Sequence, residues 1–296
     1  MVLNVLALFG PTAVGKTGVA IAIAEQLRKR GEDPVAVSCD AIQVYRGLEV
    51  LSGAAEPELR ARLEHRLLGV VELSGEFSAG RFADLAHAEI DQLLAEGRRP
   101  IVVGGTGLYL RAALSELELR PPVPAAVRAE VEHEIAERGP EALHGELDPD
   151  LALAVHPNDR KRVARLTELQ RVGMDPHRSS EGLWTEKLRR PTVLFGLTLD
   201  RDELTRRIEA RVDAMIAAGA REEAKRALEA GASRTARAAL GFEEVLAGDV
   251  EAVKASHRRY ARRQLTWMRK MSAVTLIDRT GRSDEQAAAE IVAAIE

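Results

Sequence analysis

Cysteine is nearly missing from this chain: Cys39 is the only one in 296 residues. A disulfide within the chain is therefore impossible, and a zinc site built on thiolates has no ligand set. Aromatic residues make up 3%, too few for a surface that holds bases mainly by stacking on rings. No apolar run reaches the roughly 18 residues that a membrane span requires. The start, Met1-Val2-Leu3-Asn4, has no basic region followed by a small-residue cleavage site, so no signal peptide is expected. These absences make a cytoplasmic protein without membrane contact the expectation. Positive charge is not in excess either. The formal net charge is −4, so any nucleic-acid contact has to come from a local basic face.

What is present is enough apolar material, 46%, for a sizeable interior. Val2 to Phe9 is an almost unbroken apolar run, the pattern of a strand buried on both faces. Lys16 to Arg30 has helical spacing, with Val19, Ile23 and Leu27 on one side and Gly31 as the stop. Val35 to Ser38 and Ile101 to Val103 read as further strands, with a helix over Phe82 to Glu96 between them. Strands alternating with helices predict a parallel, doubly wound α/β fold, and the glycine-rich loop at 10–17 described below makes a P-loop NTPase-like core the expectation. The alternation stops after Leu117. Arg120-Pro121-Pro122-Val123-Pro124 marks a boundary, and only helical segments follow, to about Leu188. Val193 to Leu199 and Val274 to Ile277 restore strand character. The chain is thus expected to form a core from 1–117 and 190–296, interrupted by an α-helical insertion over 118–189. The stretch from Gly231 to Ala239, rich in Ala and Arg, has no clear assignment.

The residues Gly10-Pro11-Thr12-Ala13-Val14-Gly15-Lys16-Thr17 fit the spacing G-x-x-x-x-G-K-T between a buried strand and a helix. Glycines let the backbone wrap a phosphate, amides and the helix N-terminus donate to it, Lys16 reaches an outer phosphate, and Thr17 is placed to ligate Mg²⁺. The motif is specific for phosphate and silent about the reaction. Read alone it points to ATP or GTP. Residues just past parallel strand ends face the ligand crevice. Asp40 follows the strand ending at Cys39, as a Mg²⁺ ligand or proton acceptor, or merely as a helix cap. Thr106 lies in Gly104-Gly105-Thr106-Gly107 after the strand at 101–103, either facing the same crevice or capping the next helix. Arg207 and Arg211, four apart on one helix, either add charge at the bound phosphate or form a solvated face with Glu203 and Glu209.

Two segments concentrate positive charge. Arg160, Lys161, Arg162, Arg165 and Arg171 crowd one helix of the insertion. Lys254, Arg258, Arg259, Arg262, Arg263, Arg269 and Lys270 occupy a stretch with no acidic residue from Ala252 to Ile277. In an acidic chain these runs favour RNA contact over a plain solvated face. Trp267 is expected to be a packing residue.

GPTAVGKT at 10–17, DAIQVYRGL at 40–48, GGTGLYL at 104–110, HPNDRKRVAR at 156–165 and RRQLTWMR at 262–269 together resemble the tRNA dimethylallyltransferase family, also called tRNA isopentenyladenosine synthases. The resemblance spans nearly the whole chain in the family's order. It implies transfer of a dimethylallyl group from dimethylallyl diphosphate to N6 of adenine 37 beside the tRNA anticodon, with Mg²⁺. It further implies that Gly10 to Thr17 bind the diphosphate, Asp40 accepts the N6 proton and Thr106 contacts the same base. Asp40, Ala41, Ile42 and Gln43 would hold the adenine. Arg128, Lys161, Arg162, Val163, Ala164 and Arg165 would contact the anticodon stem-loop, as would Ala238 and Gly241. Two departures fall at Gly53-Ala54-Ala55-Glu56-Pro57, where the family usually has Gly-Thr-Ala-Lys-Pro, and at Ala238 and Glu243, where Gln and a basic residue are commoner. A monomer is expected. The rival readings are a prenyltransferase acting on free adenylate and a P-loop kinase of a small metabolite.

Overall fold

A computed structural model describes residues 4–117, 123–175, 187–271 and 273–295. The start of the apolar run at Val2, the boundary signal at 120–122 and the stretch 176–186 lie outside them. The chain divides into two compact units, one of Met1–Leu117 with Leu183–Glu296 and one of Glu118–Gly182.

The first unit is built on β1 (Val5–Phe9), β2 (Pro34–Cys39), β3 (His65–Arg66), β4 (Arg99–Gly104), β5 (Thr192–Thr198) and β6 (Val274–Asp278). All pair in parallel, in the order β3-β2-β4-β1-β5-β6. β1 is central and every residue in it is buried. Val5, Ala7 and Phe9 enter one apolar layer while Leu6 and Leu8 enter the other, as a strand covered on both faces demands. β3 was not expected. Two half-buried residues, His and Arg, carry no apolar pattern to reveal a strand.

The helices of this unit before the insertion are α1 (Lys16–Arg28), α2 (Glu49–Ser52), α3 (Pro57–Arg62), α4 (Ala79–Ala95) and α5 (Gly107–Leu114). α1 ends two residues sooner than its apolar spacing predicts, with Gly31 at φ 82° in the closing turn. α4 starts earlier than expected because the Ser78 hydroxyl accepts the Arg81 amide, capping the helix. The second unit contains α6 (Ala125–Arg138), α7 (Pro140–His144), α8 (Pro149–Leu153) and α9 (Arg160–Arg171). They close on a core of Val131, Ile135, Leu143, Leu151, Val163 and Leu166. The chain then adds α10 (Arg201–Ala217), α11 (Ala220–Glu229), α12 (Phe242–Ala247), α13 (Val250–Met268) and α14 (Asp284–Ala293) to the first unit. Asp200 caps α10, Asp249 caps α13, and Ser283 with Gln286 forms a capping box on α14. Residues 231–241 form turns without a helix. Among the described residues no helix is long and apolar enough to cross a membrane.

Candidate active site

The site begins where β1 runs out. Residues 10–15 turn back on themselves through two left-handed residues, Ala13 at φ 64° and Gly15 at φ 94°, and α1 starts at Lys16. Such alternation turns successive N–H groups toward one concavity, the form of an anion nest. Lys16 Nζ donates to the carbonyls of Gly10 and Pro11, both at 2.9 Å. Burial, and after it Arg211, push its pKa down against the opposing charge of Asp40, to about 7. An anion in the loop would restore the charged form.

The loop is gripped from behind by Arg279, which follows β6 and is 3% exposed. Its guanidinium donates to the Val14 carbonyl and pairs with Asp284. A Cβ at Gly15 would collide with that guanidinium, and one at Gly18 with the Asp284 carboxylate. Sequence reading passed over Arg279, although its place just past a parallel strand is the signal that singled out Asp40.

Asp40 sits at the end of β2. Its Oδ1 accepts the amides of Ile42 at 2.9 Å and Gln43 at 3.4 Å, so one oxygen caps the following turn. Oδ2 has no hydrogen-bond partner among the described residues. The carboxylate's field acts on Lys16, Arg211 and Tyr260, so it shares their neighbourhood. Gln43 is committed internally: its Oε1 accepts from the Ser38 hydroxyl at 2.8 Å and its Nε2 reaches the Gly53 carbonyl at 3.3 Å.

Arg207 and Arg211 part company. Arg207 pairs with Glu203 at 2.6 Å, one helical turn away. Arg211 turns toward Asp40 and donates to the Ser52 carbonyl at 3.4 Å. A Cβ at Gly53 would collide with its guanidinium. Glu209 does not partner either arginine; it binds Arg258 of α13 at 2.8 Å.

Thr106 sits at the N-cap position of α5, but its side chain makes no capping bond. Its hydroxyl bonds the Tyr260 hydroxyl at 3.0 Å. Burial holds the Tyr260 phenol protonated well past its ordinary range. From the same helix α13, Gln264 accepts the Thr12 amide and donates to the Gly105 carbonyl, each at 2.8 Å. The Thr12 amide is therefore taken by the protein, unlike its expected use toward phosphate. Trp267 packs against Gly107, where a Cβ would strike the indole.

The residues expected to meet RNA are treated unevenly. Val163 is fully buried in the core of the second unit, so it offers no surface; its place on the inward face of α9 follows from helical spacing. Ala164 packs beside that core. Gly241 is buried at the start of α12 at φ 84°, whereas Ala238 is exposed. Arg128 and Arg165 both turn to the buried Glu168, at 3.8 and 2.9 Å. Arg162 lies near Asp159 at 3.4 Å, and Arg171 binds Glu134 at 2.7 Å. Lys161 remains exposed. In α13, Lys254 pairs with Asp213 at 2.8 Å, so this run is partly neutralised from α10.

Among the described residues no cluster of three or more His, Cys, Asp or Glu side chains forms a metal cage. The Thr17 hydroxyl and the Asp40 carboxylate suit a magnesium ion held mainly by phosphate oxygens and water.

A phosphate nest at the central strand of a parallel sheet, with a carboxylate and a hydroxyl at adjacent strand ends, belongs to the α/β enzymes that work on phosphorylated ligands. Comparison with known proteins narrows the class. The family described as IPP transferase matches residues 43–271. The chain is 40% identical over 283 residues to a tRNA dimethylallyltransferase of Thermobifida fusca (strain YX), covering 90% of this chain and 87% of that protein. It is 42% identical over 290 residues to another from Anaeromyxobacter sp. (strain Fw109-5), covering 93% and 94%. The crystal structure of the full-length tRNA isopentenylpyrophosphate transferase of Bacillus halodurans superposes with a TM-score of 0.71 at 33% identity, over 99% of this chain and 95% of that one. The chain belongs to the IPP transferase family.

Proposed function

We propose that this protein transfers a dimethylallyl group from dimethylallyl diphosphate to N6 of adenine 37 in the tRNA anticodon loop, releasing diphosphate. The observation that carries the reading is the convergence of Lys16, past β1, and Asp40, past β2, at one edge of the sheet, where the charge of Asp40 acts on Lys16. The adenine amine is a weak nucleophile because its lone pair is delocalised into the ring. The allylic carbon compensates by developing cation character as its bond to diphosphate oxygen breaks. The nest amides, Lys16 and Arg211 stabilise the negative charge that the leaving group carries away. As the new N–C bond forms, N6 becomes acidic and Asp40 Oδ2 takes its proton. Thr106 orients the base beside it. Thr17 is the protein ligand for Mg²⁺, which when bound neutralises charge on the diphosphate.

The adenine has to leave its stack to reach the strand edge. With few aromatic residues, the RNA is held through its shape and phosphates. Exposed Lys161, Arg262 and Arg269 supply contacts of that kind.

Labelled dimethylallyl diphosphate incubated with unmodified tRNA, AMP or ATP tests the reading. Label is expected in tRNA. Label in AMP would instead support a free-adenylate enzyme, and ATP consumption without label transfer a kinase. Asp40→Ala is expected to cut transfer about 10²- to 10⁴-fold, the range for a lost general base, with donor affinity kept. Near-native turnover in that variant would remove Asp40 from the role.

A further inference from the structure

Gln264 joins the two loops that the reaction uses, and nothing in the chemistry above required it. It is 4% exposed, and both ends of its amide are used. Oε1 accepts from Thr12 in the diphosphate loop, and Nε2 donates to Gly105 in the turn that carries Thr106. The two partners fix the amide's direction. Rotated by half a turn, Nε2 would face the Thr12 N–H and Oε1 the Gly105 carbonyl, donor against donor and acceptor against acceptor. The fit is close as well as directional. A Cβ at Gly105 would collide with Nε2, and the same point lies 3.0 Å from the Gly10 carbonyl and 3.3 Å from Lys16 Nζ. Gly10, Lys16, Gly105 and Gln264 therefore share one small polar junction. One turn back along α13, Tyr260 bonds Thr106. One turn forward, Trp267 lies on Gly107. A single face of α13 thus touches three successive residues of the turn, and Gln264 also bonds the diphosphate loop.

We propose that Gln264 is a positioning residue that couples the diphosphate loop to the Thr106 turn, so that occupancy of the first loop sets the geometry of the second. This rests on the reaction assigned above. Lys16 Nζ now donates to Gly10 and Pro11. When it turns to an incoming diphosphate, the junction shared with Gly105 changes, and Gln264 carries the change to Thr106. Donor binding then prepares the turn that orients the adenine.

Trp267 reports on that turn. The chain has two tryptophans, so Trp184→Phe leaves Trp267 as the sole indole. In this background, inorganic pyrophosphate with Mg²⁺ is titrated while emission is followed, and affinity is measured in parallel by calorimetry. A saturable emission change is expected with Gln264 present. With Gln264→Met, pyrophosphate affinity is expected to hold while the emission change is lost. Turnover in the transfer assay is expected to fall about 10- to 100-fold, as for a misplaced reacting group, with KM for the donor unchanged. Gln264→Glu is a second probe. It keeps the bond to the Thr12 amide but sets oxygen against the Gly105 carbonyl, and the same loss of turnover is expected while retained pyrophosphate affinity shows that the loop is folded. The coupling is overturned if pyrophosphate binds without any emission change in the Gln264 protein. It is equally overturned if either variant keeps both the emission change and wild-type turnover, or if affinity and turnover fall together. Failure of the reaction assignment looks different: pyrophosphate would still move Trp267 emission through Gln264 while no dimethylallyl group reached tRNA.

Discussion

At Asp40 a single side chain divides its two oxygens between structure and chemistry. Oδ1 holds the turn after β2 through two backbone amides, which fixes where Oδ2 stands. Reading the aspartate as a cap or as a base was therefore never a choice between exclusive roles. Gly107 is constrained in another way. The Trp267 indole occupies the space a methyl group would need, so Gly107→Ala is expected to cost on the order of 1–3 kcal/mol, the range for overpacking. Trp267→Leu should recover part of that loss, because the two changes meet at one contact. Denaturant midpoints of the single and double variants give the comparison, and strict additivity would count against the contact. Arg211 shows the limit of spacing arguments. A period of four puts it on a face with Arg207, but only the fold shows that one arginine turns to Glu203 and the other to the Asp40 neighbourhood.

At the scale of elements, α13 links the catalytic turns through Tyr260, Gln264 and Trp267 while anchoring itself with a buried histidine. His257 is 4% exposed, and its Nδ1 lies 3.0 Å from the Val253 carbonyl. Burial pulls its pKa below the usual 6.5, Arg211 adds to this, and the Val253 carbonyl opposes it. The unfolded chain thus binds more protons than the native one just below pH 6.5, so stability falls as pH drops through that window and is unaffected above it. His257→Gln is expected to flatten the loss between pH 7.5 and 5.5 by on the order of 1 kcal/mol. Denaturant titrations of both proteins at the two pH values measure it, and parallel slopes would contradict the assignment. β1, β2, β4 and β5 were legible in the sequence because burial leaves apolar runs, whereas the two polar residues of β3 left no such trace. The loop motif was legible because its spacing is local. Gln264 and Tyr260 were not, since their meaning lies in partners brought together from distant parts of the chain. The pairing of Lys254 and Arg258 with acids of α10 was hidden for the same reason: a run free of acids in sequence is not free of them in space.

For the molecule as a whole, that pairing bears on how RNA is held. The net charge is −4, so attraction to phosphate depends on a few exposed cations. Arg262 and Arg269 are exposed and make no ion pair among the described residues, whereas Lys254 is held by Asp213. Replacing Arg262 or Arg269 by Ala is expected to reduce the slope of log K against log salt for tRNA by about 0.7–0.9, one phosphate contact. Lys254→Ala should leave the slope nearly as it was. Binding isotherms over a range of salt decide between them, and an equal effect from all three would put the basic face elsewhere. The sheet order has a consequence for synthesis. β1 lies between β4 and β5, and the Thr12 amide is bonded by a residue 252 positions later. The phosphate loop is translated 252 residues before the glutamine that bonds its Thr12 amide. A nascent chain therefore carries the motif long before it can hold a donor, and catalytic competence arrives abruptly, with the emergence of α13 and β6.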